Sequence, residues 1–112
     1  MTPHSGALVS TKALIDRVDH LVLTVTDIEV TTRFYERALG MQREFFRGPE
    51  GQPRHALLFG SQKINLQDRN TDTPTKARVP TIGSGDFCLI AAVPLDEVIA
   101  HLKAEGIAID TG

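Results

Sequence analysis

The chain has 112 residues, of which 41% are hydrophobic and 23% are charged, and this composition fits one globular domain. Twelve Lys and Arg residues against 14 Asp and Glu residues leave a net charge of -2, without the basic excess that nucleic acid or an anionic membrane requires. We therefore expect neither as a partner. The sequence has no apolar run near the roughly 20 residues that span a bilayer, and its first twelve residues lack a secretion-signal pattern. We expect a cytoplasmic protein.

The alternation of side chains from Val18 predicts a strand with two different faces. Leu21, Leu23 and Val25 lie on one face, and His20, Val22 and Thr24 lie on the other. The preceding residues, 1–14, are small and polar, and we interpret them as an N-terminal arm.

A helix follows this strand. Asp27 is suited to cap its N-terminus, and Gly40 stands where a left-handed residue usually ends a helix. Apolar residues recur at helical spacing between them, at Val30, Phe34, Tyr35, Ala38 and Leu39. This stripe predicts the side of the helix that packs on the strands.

Three further strands are predicted, over residues 41–46, 56–59 and 63–67, with a loop at 48–53 and a tight turn at Gly60. The last strand places Lys63, Asn65 and Gln67 on one face. Residues 15–68 are thus predicted to form one βαβββ module.

The second half begins with a polar, Pro- and Gly-containing stretch, 69–85, which we interpret as a linker. Residues 86–93 predict a fifth strand, in which Cys88 is expected to be a buried small side chain. A helix is expected after Pro94 and before Gly106, and a further strand from Ile107. The same order of elements occurs in the first half, so residues 86–112 are predicted to be an incomplete second module.

The segments that carry a family resemblance are D-I-E-V-T-T-R-F-Y-E-R-A-L-G-M, L-F-G-S-Q-K-I-N-L-Q and P-L-D-E-V-I-A-H-L-K-A-E-G, together with the His20 strand. With them the sequence resembles the vicinal oxygen chelate superfamily, which includes glyoxalase I, bleomycin-resistance and fosfomycin-resistance proteins and extradiol dioxygenases. It is most similar to small glyoxalase-domain proteins of uncharacterised activity. The resemblance implies an α+β fold of paired βαβββ modules that form an open, cupped sheet, commonly in a homodimer, with the second module truncated in this chain.

The resemblance also implies a divalent metal in the cup, such as Zn, Ni, Fe or Mn. Carried over to this sequence, the metal ligands would be His20, Gln67 or Asn65 on the last strand of the first module, and Asp86. The fourth position has no counterpart. Carboxamides bind divalent cations less strongly than imidazole or carboxylate, so a structural role for Asn65 and Gln67, as polar residues that line a cavity or an exposed sheet face, is equally favoured. Asp86 could instead cap the turn after Gly85.

Other side chains are candidates for substrate contact. Val22 and Thr24 share the face of His20, Asn65 shares the face of Gln67, and His55 begins a strand beside the loop. For His55 the alternative to substrate contact is an exposed side chain at the edge of the strand. Arg33, Arg37, Arg43 and Arg47 are expected to be solvated, and His101 is expected on the surface.

Two functions and one structural alternative follow. The first is a glyoxalase- or dioxygenase-like enzyme that chelates a small oxygenated molecule through its metal. The second is a binding protein that sequesters a small molecule in the cup without chemistry, as bleomycin-resistance proteins do. The structural alternative is that another chain completes the exposed sheet edge.

Overall fold

The structure is a computed structural model and describes residues 12–71, 73 and 76–110. Its elements are β1 (His20–Thr24), α1 (Ile28–Leu39), β2 (Gln42–Arg47), β3 (Pro53–Phe59), β4 (Gln62–Gln67) and α2 (Leu95–Ala104). The fold is α+β, as predicted, and the first five elements form the βαβββ order. The N-terminal arm that we predicted lies mostly outside the described residues.

The start and end of α1 follow from two residues. The backbone N–H of Val30 donates to Oδ1 of Asp27 at 3.0 Å, which satisfies one of the free amides of the first turn. At the other end Gly40 has φ of 67°, a left-handed conformation that glycine adopts without a Cβ penalty, and its N–H bonds back to the helix. Both predicted caps are confirmed.

The sheet has the strand order β1-β4-β3-β2, with β1 parallel to β4 and the other pairs antiparallel. Val22 pairs with Asn65 and Thr24 with Gln67 across the parallel pair, and Ala56 pairs with Asn65 across the next. Because paired residues point to the same side of a sheet, His20, Val22, Thr24, Lys63, Asn65 and Gln67 share one face. We call this the cup face, and the opposite side, on which α1 packs, the helix face.

The core lies between the helix face and α1. Its buried members are Met41, Leu57, Ile64 and Leu66, and Leu57 and Ile64 are fully inaccessible. Leu21, Leu23 and Val25 pack against them, as the alternation predicted. The rigid part of the described fold is therefore the sheet, and the cup face takes its geometry from it.

The orientation of α1 corrects part of the predicted apolar stripe. Thr32 and Ala38 are buried, whereas Val30 is 63% exposed and Phe34 42% exposed. The helix thus packs through the side that carries Ile28 and Tyr35, and Val30 and Phe34 flank the contact instead of filling it. Apolar spacing marks a broad arc of a helix, and only packing selects which part of it is covered.

Arg43 joins α1 to β2 and is not merely solvated as expected. Its guanidinium donates to both Glu29 and Glu36 at 2.8–3.1 Å, and Glu29 also accepts from Arg33. These bonds lower the pKa of both glutamates, and the same contacts raise the pKa of Arg43. Arg43 of β2 therefore holds α1 through Glu29 and Glu36, and we call this contact the clamp.

No strand forms over residues 86–93, where we predicted one, or at 107–109. A strand requires a hydrogen-bonded neighbour, and within the described part of the chain no strand lies beside either segment. Phe87 packs on the core, but Ile90 is 75% exposed. Cys88 is also exposed, so the expectation of a buried thiol is wrong in this structure. The module boundaries that we placed at 69, 86 and 112 stay a prediction.

Helix α2 and the residue that follows it contact α1 through two hydrogen bonds. Arg37 donates to the carbonyl oxygen of Glu105 at 2.8 Å, and Nε2 of His101 lies 2.7 Å from the carbonyl oxygen of Arg37. No residue of α2 is buried, and Leu95 at its start is 67% exposed. The second helix is thus attached to the first module by polar contacts more than by a shared core.

Candidate functional site

A cavity of about 420 Å³ opens on the cup face. The strands contribute His20, Val22, Phe46, Arg54, His55, Asn65, Leu66 and Gln67, and the loops contribute Gly48, Pro49, Thr73, Lys76 and Ala77. Four of the residues that the sequence marked as candidates therefore border one space from the cup face: His20, Val22, Asn65 and Gln67. We call this space the cup cavity.

His20 begins β1 and is oriented by its neighbour. Nδ1 of His20 lies 2.8 Å from Oδ2 of Asp19, and this hydrogen bond is the main cause of a lowered pKa for Asp19. When Nδ1 carries the proton, Nε2 is left with its lone pair free to accept a hydrogen bond or to bind a metal. A carboxylate behind an imidazole is the arrangement that commonly fixes this tautomer in metal sites.

The two carboxamides of β4 have different environments. Nε2 of Gln67 donates to Oγ1 of Thr24 at 2.9 Å, so the predicted substrate residue Thr24 positions Gln67 and is not itself among the residues lining the cavity. Oδ1 of Asn65 is buried and has no hydrogen-bond partner among the described residues. A buried acceptor without a hydrogen-bond partner lowers the stability of a fold by about 1–3 kcal/mol. Oδ1 of Asn65 is thus an unsatisfied acceptor in the wall of the cavity.

Two predicted site residues do not join this group. His55 borders the cavity, but its register with Leu66 places its side chain on the helix face, where the ring packs edge-on against Phe45 at 5.3 Å between centroids. It also borders a second space, of about 350 Å³, near the start of α1. Asp86 is exposed and lies outside the residues that line the cup cavity.

The lining residues that the sequence interpretation missed include Arg54, Phe46 and Lys76. Arg54 pairs with Phe46 in the antiparallel register and is half-buried. We had begun the third strand at Ala56, which left Arg54 outside it. Extending the alternation back by two residues would have placed Arg54 on the face of Asn65.

The sequence profile of the Glyoxalase/Bleomycin resistance protein/Dioxygenase superfamily matches residues 17–112. The chain belongs to this superfamily. The match covers both the βαβββ module and α2, and it agrees with the α+β fold and the open four-stranded sheet.

Within the superfamily, the chain is similar to proteins of known structure. Virulence protein STM3117 of Salmonella typhimurium is 46% identical over 103 residues, which are 92% of this chain and 69% of that protein. Its crystal structure superimposes with a TM-score of 0.77 at 44% identity and covers 89% of this chain and 76% of that one.

Two other similarities extend the comparison. The glyoxalase domain-containing protein RDO1 of Mycosarcoma maydis is 42% identical over 95 residues, which are 85% of this chain and 51% of that protein. The chain therefore spans about half the length of this relative. Lactoylglutathione lyase of Agrobacterium tumefaciens is 22% identical with a TM-score of 0.65, over 88% of this chain and 77% of that one, and shares the fold.

The superfamily implies a divalent metal, and the side chains of the cup face decide whether such an ion can bind there. The described residues contain no group of three or more His, Cys, Asp or Glu side chains that could hold a metal ion. The cup face offers the imidazole of His20 and the carboxamides of Asn65 and Gln67, and carboxamides are weak ligands for divalent cations. This donor set does not fit a tight metal centre without a further ligand.

Proposed function

We propose that this superfamily member binds a small oxygenated molecule in the cup cavity. The observation that carries the proposal is that His20, Asn65 and Gln67, on two paired strands, line one space of about 420 Å³. Pockets for small molecules usually have a volume of about 300–1,000 Å³ and a few convergent polar groups. The cup cavity has both properties.

The lining suggests a role for each group. His20 accepts a hydrogen bond at Nε2 when Asp19 holds the proton at Nδ1, and the carboxamide of Gln67 is held in place by Thr24. Val22 and Phe46 offer apolar surface to the remainder of the ligand. These contacts support a protein that binds its ligand directly and does not transform it. This is the sequestration function, the second of the two functions considered from the sequence.

The metal-dependent enzyme is the second candidate, and the contact between His20 and Asp19 favours it. In that case His20 would hold the metal through Nε2, and Asp19 would fix the ring. A divalent metal supplies Lewis-acid stabilisation of negative charge on substrate oxygens. Since the described lining of the cup cavity lacks a strong second ligand, this candidate requires one from outside the His20, Asn65 and Gln67 set.

A homodimer would supply such residues, and we propose it as the assembly. Strand β1 is at one end of the strand order and pairs only with β4 among the described strands. An unpaired edge beside the cup cavity is a place where a second copy can add a strand.

The test is a ligand screen by ¹H–¹⁵N NMR, run once with excess EDTA and once with zinc. We expect at least one small oxygenated molecule to shift the amide signals of Val22 and Asn65, and His20→Ala to weaken that binding about tenfold or more. Binding that survives EDTA supports direct recognition, and binding only with zinc supports the metal-dependent enzyme.

The matched control is His101→Ala, which removes a histidine from α2 outside the cup cavity. It should leave ligand affinity unchanged. A screen in which no compound shifts cavity residues in either arm would contradict the proposal.

A further inference from the structure

The lining of the cup cavity is cationic. Arg54 and Lys76 border it, and none of the lining residues that the structure describes is Asp or Glu. Lys63 adds positive charge beside the wall, because its Nζ lies 5.0 Å from the ring centroid of Phe46. The charged side chains among the described lining residues are therefore of one sign, although the whole chain carries a net charge of -2.

Arg54 has no acidic partner among the described residues, whereas three other arginines have one. Arg17, Arg33 and Arg43 each form salt bridges with Asp or Glu, whereas neither Arg54 nor Lys76 forms one with any residue that the structure describes. Glu44 shares the cup face through its pairing with Ala56, but it does not line the cavity. A half-buried guanidinium without a counter-ion is costly, and a ligand anion would relieve that cost.

Asn65 places a second requirement on the chemistry of the ligand. Asn65 lines the cavity, and its Oδ1 is buried without a hydrogen-bond partner among the described residues. A carbonyl oxygen only accepts hydrogen bonds, so the group that satisfies it must be a donor. A ligand hydroxyl is such a donor.

We propose that the ligand of the cup cavity is a small organic anion that also carries a hydroxyl group. Its anionic group binds Arg54 and Lys76, its hydroxyl donates to Asn65, and its apolar part contacts Val22 and Phe46. This inference rests on the proposed function of the cavity, and it narrows the class of ligand from any oxygenated molecule to a hydroxylated anion.

Three probes of similar size test it: mandelate, neutral mandelamide, and phenylacetate, which lacks the hydroxyl. In NMR titrations at constant ionic strength, mandelate should bind at least about tenfold more tightly than mandelamide and several-fold more tightly than phenylacetate. Arg54→Gln should lower the affinity for mandelate several-fold more than the affinity for mandelamide, and Lys76 should retain part of the preference for the anion.

Arg47→Gln is the matched control, since Arg47 lies on the opposite face of β2 and stacks on Phe45. It removes the same charge and should not alter the affinity for mandelate. Equal affinities for mandelate and mandelamide, with shifts still at Val22 and Asn65, would overturn the anion while the cavity remained a ligand site. Absence of shifts at these residues with all three probes would overturn both.

Discussion

Asn65 illustrates how a single residue is retained at a cost in stability. Its paired position between β1 and β3 is in the middle of the sheet, where an apolar side chain would pack without an unmet hydrogen bond. Its buried Oδ1 instead has no hydrogen-bond partner among the described residues. Such a group is favourable only when something in the cavity bonds to it.

Replacement of this residue should separate stability from binding. Asn65→Leu keeps a similar volume and removes the unpaired oxygen, so we expect the free energy of unfolding to rise by about 1 kcal/mol. Binding of a hydroxylated ligand should weaken at the same time. Urea denaturation measures the first effect and NMR titration the second.

The control is Asn70→Leu in the exposed turn after β4. It should leave ligand binding intact and should not stabilise the protein. A loss of stability in Asn65→Leu would mean that the carboxamide supports the sheet and is not held at a cost.

At the scale of elements, the clamp between β2 and α1 makes stability depend on pH. Glu29 and Glu36 have pKa values below the ordinary 4.5 in the folded state because they accept hydrogen bonds from Arg43. A carboxyl group whose pKa is lowered by folding stabilises the fold above its unfolded pKa. This stabilisation is lost as the pH falls through the lower, folded pKa.

Arg43→Gln should therefore reduce the acid sensitivity of the protein. The melting temperature of the wild type should exceed that of the variant at pH 7, and the two should converge as the pH falls from about 5 to about 3. Arg17→Gln, which removes only an exposed pair with Asp16, should follow the wild-type curve. A constant difference between wild type and Arg43→Gln at all pH values would contradict the role of the two glutamates.

At the scale of the whole molecule, the described fold has a well-packed part and a loosely attached part. The buried residues lie in the sheet, in α1 and in the turn before β2, and α2 contributes no buried residue. The helices within this part of the chain are also too short and polar to cross a bilayer. Local stability should therefore differ between the sheet and α2.

Hydrogen exchange measures this difference. Amides of α2 should exchange much faster than those of β4, and Arg37→Ala should speed exchange in α2 further because it removes the bond to Glu105. Exchange in β4 should not change with that variant. Equal protection of α2 and β4 would show that α2 belongs to the same cooperative unit as the sheet.

The sequence predicted most of the first module because its signals are local. Asp27 and Gly40 delimit α1, and the alternation of His20, Val22 and Thr24 against Leu21 and Leu23 marks the two faces of β1. The same alternation in β4 marked Asn65 and Gln67. The superfamily resemblance rests on these segments, and the profile match over residues 17–112 confirms it.

What the tertiary structure alone decided depends on pairing between distant parts of the chain. Residues 86–93 have the composition of a strand, but a strand forms only against a neighbour, and the described fold provides none. The register of β2 with β3 brought Arg54 and Phe46 to the cup cavity, and the rotation of α1 left Val30 and Phe34 exposed. Local propensity determines which residues can form a helix or a strand. Packing determines which faces of these elements contact each other, and the site forms where those faces meet.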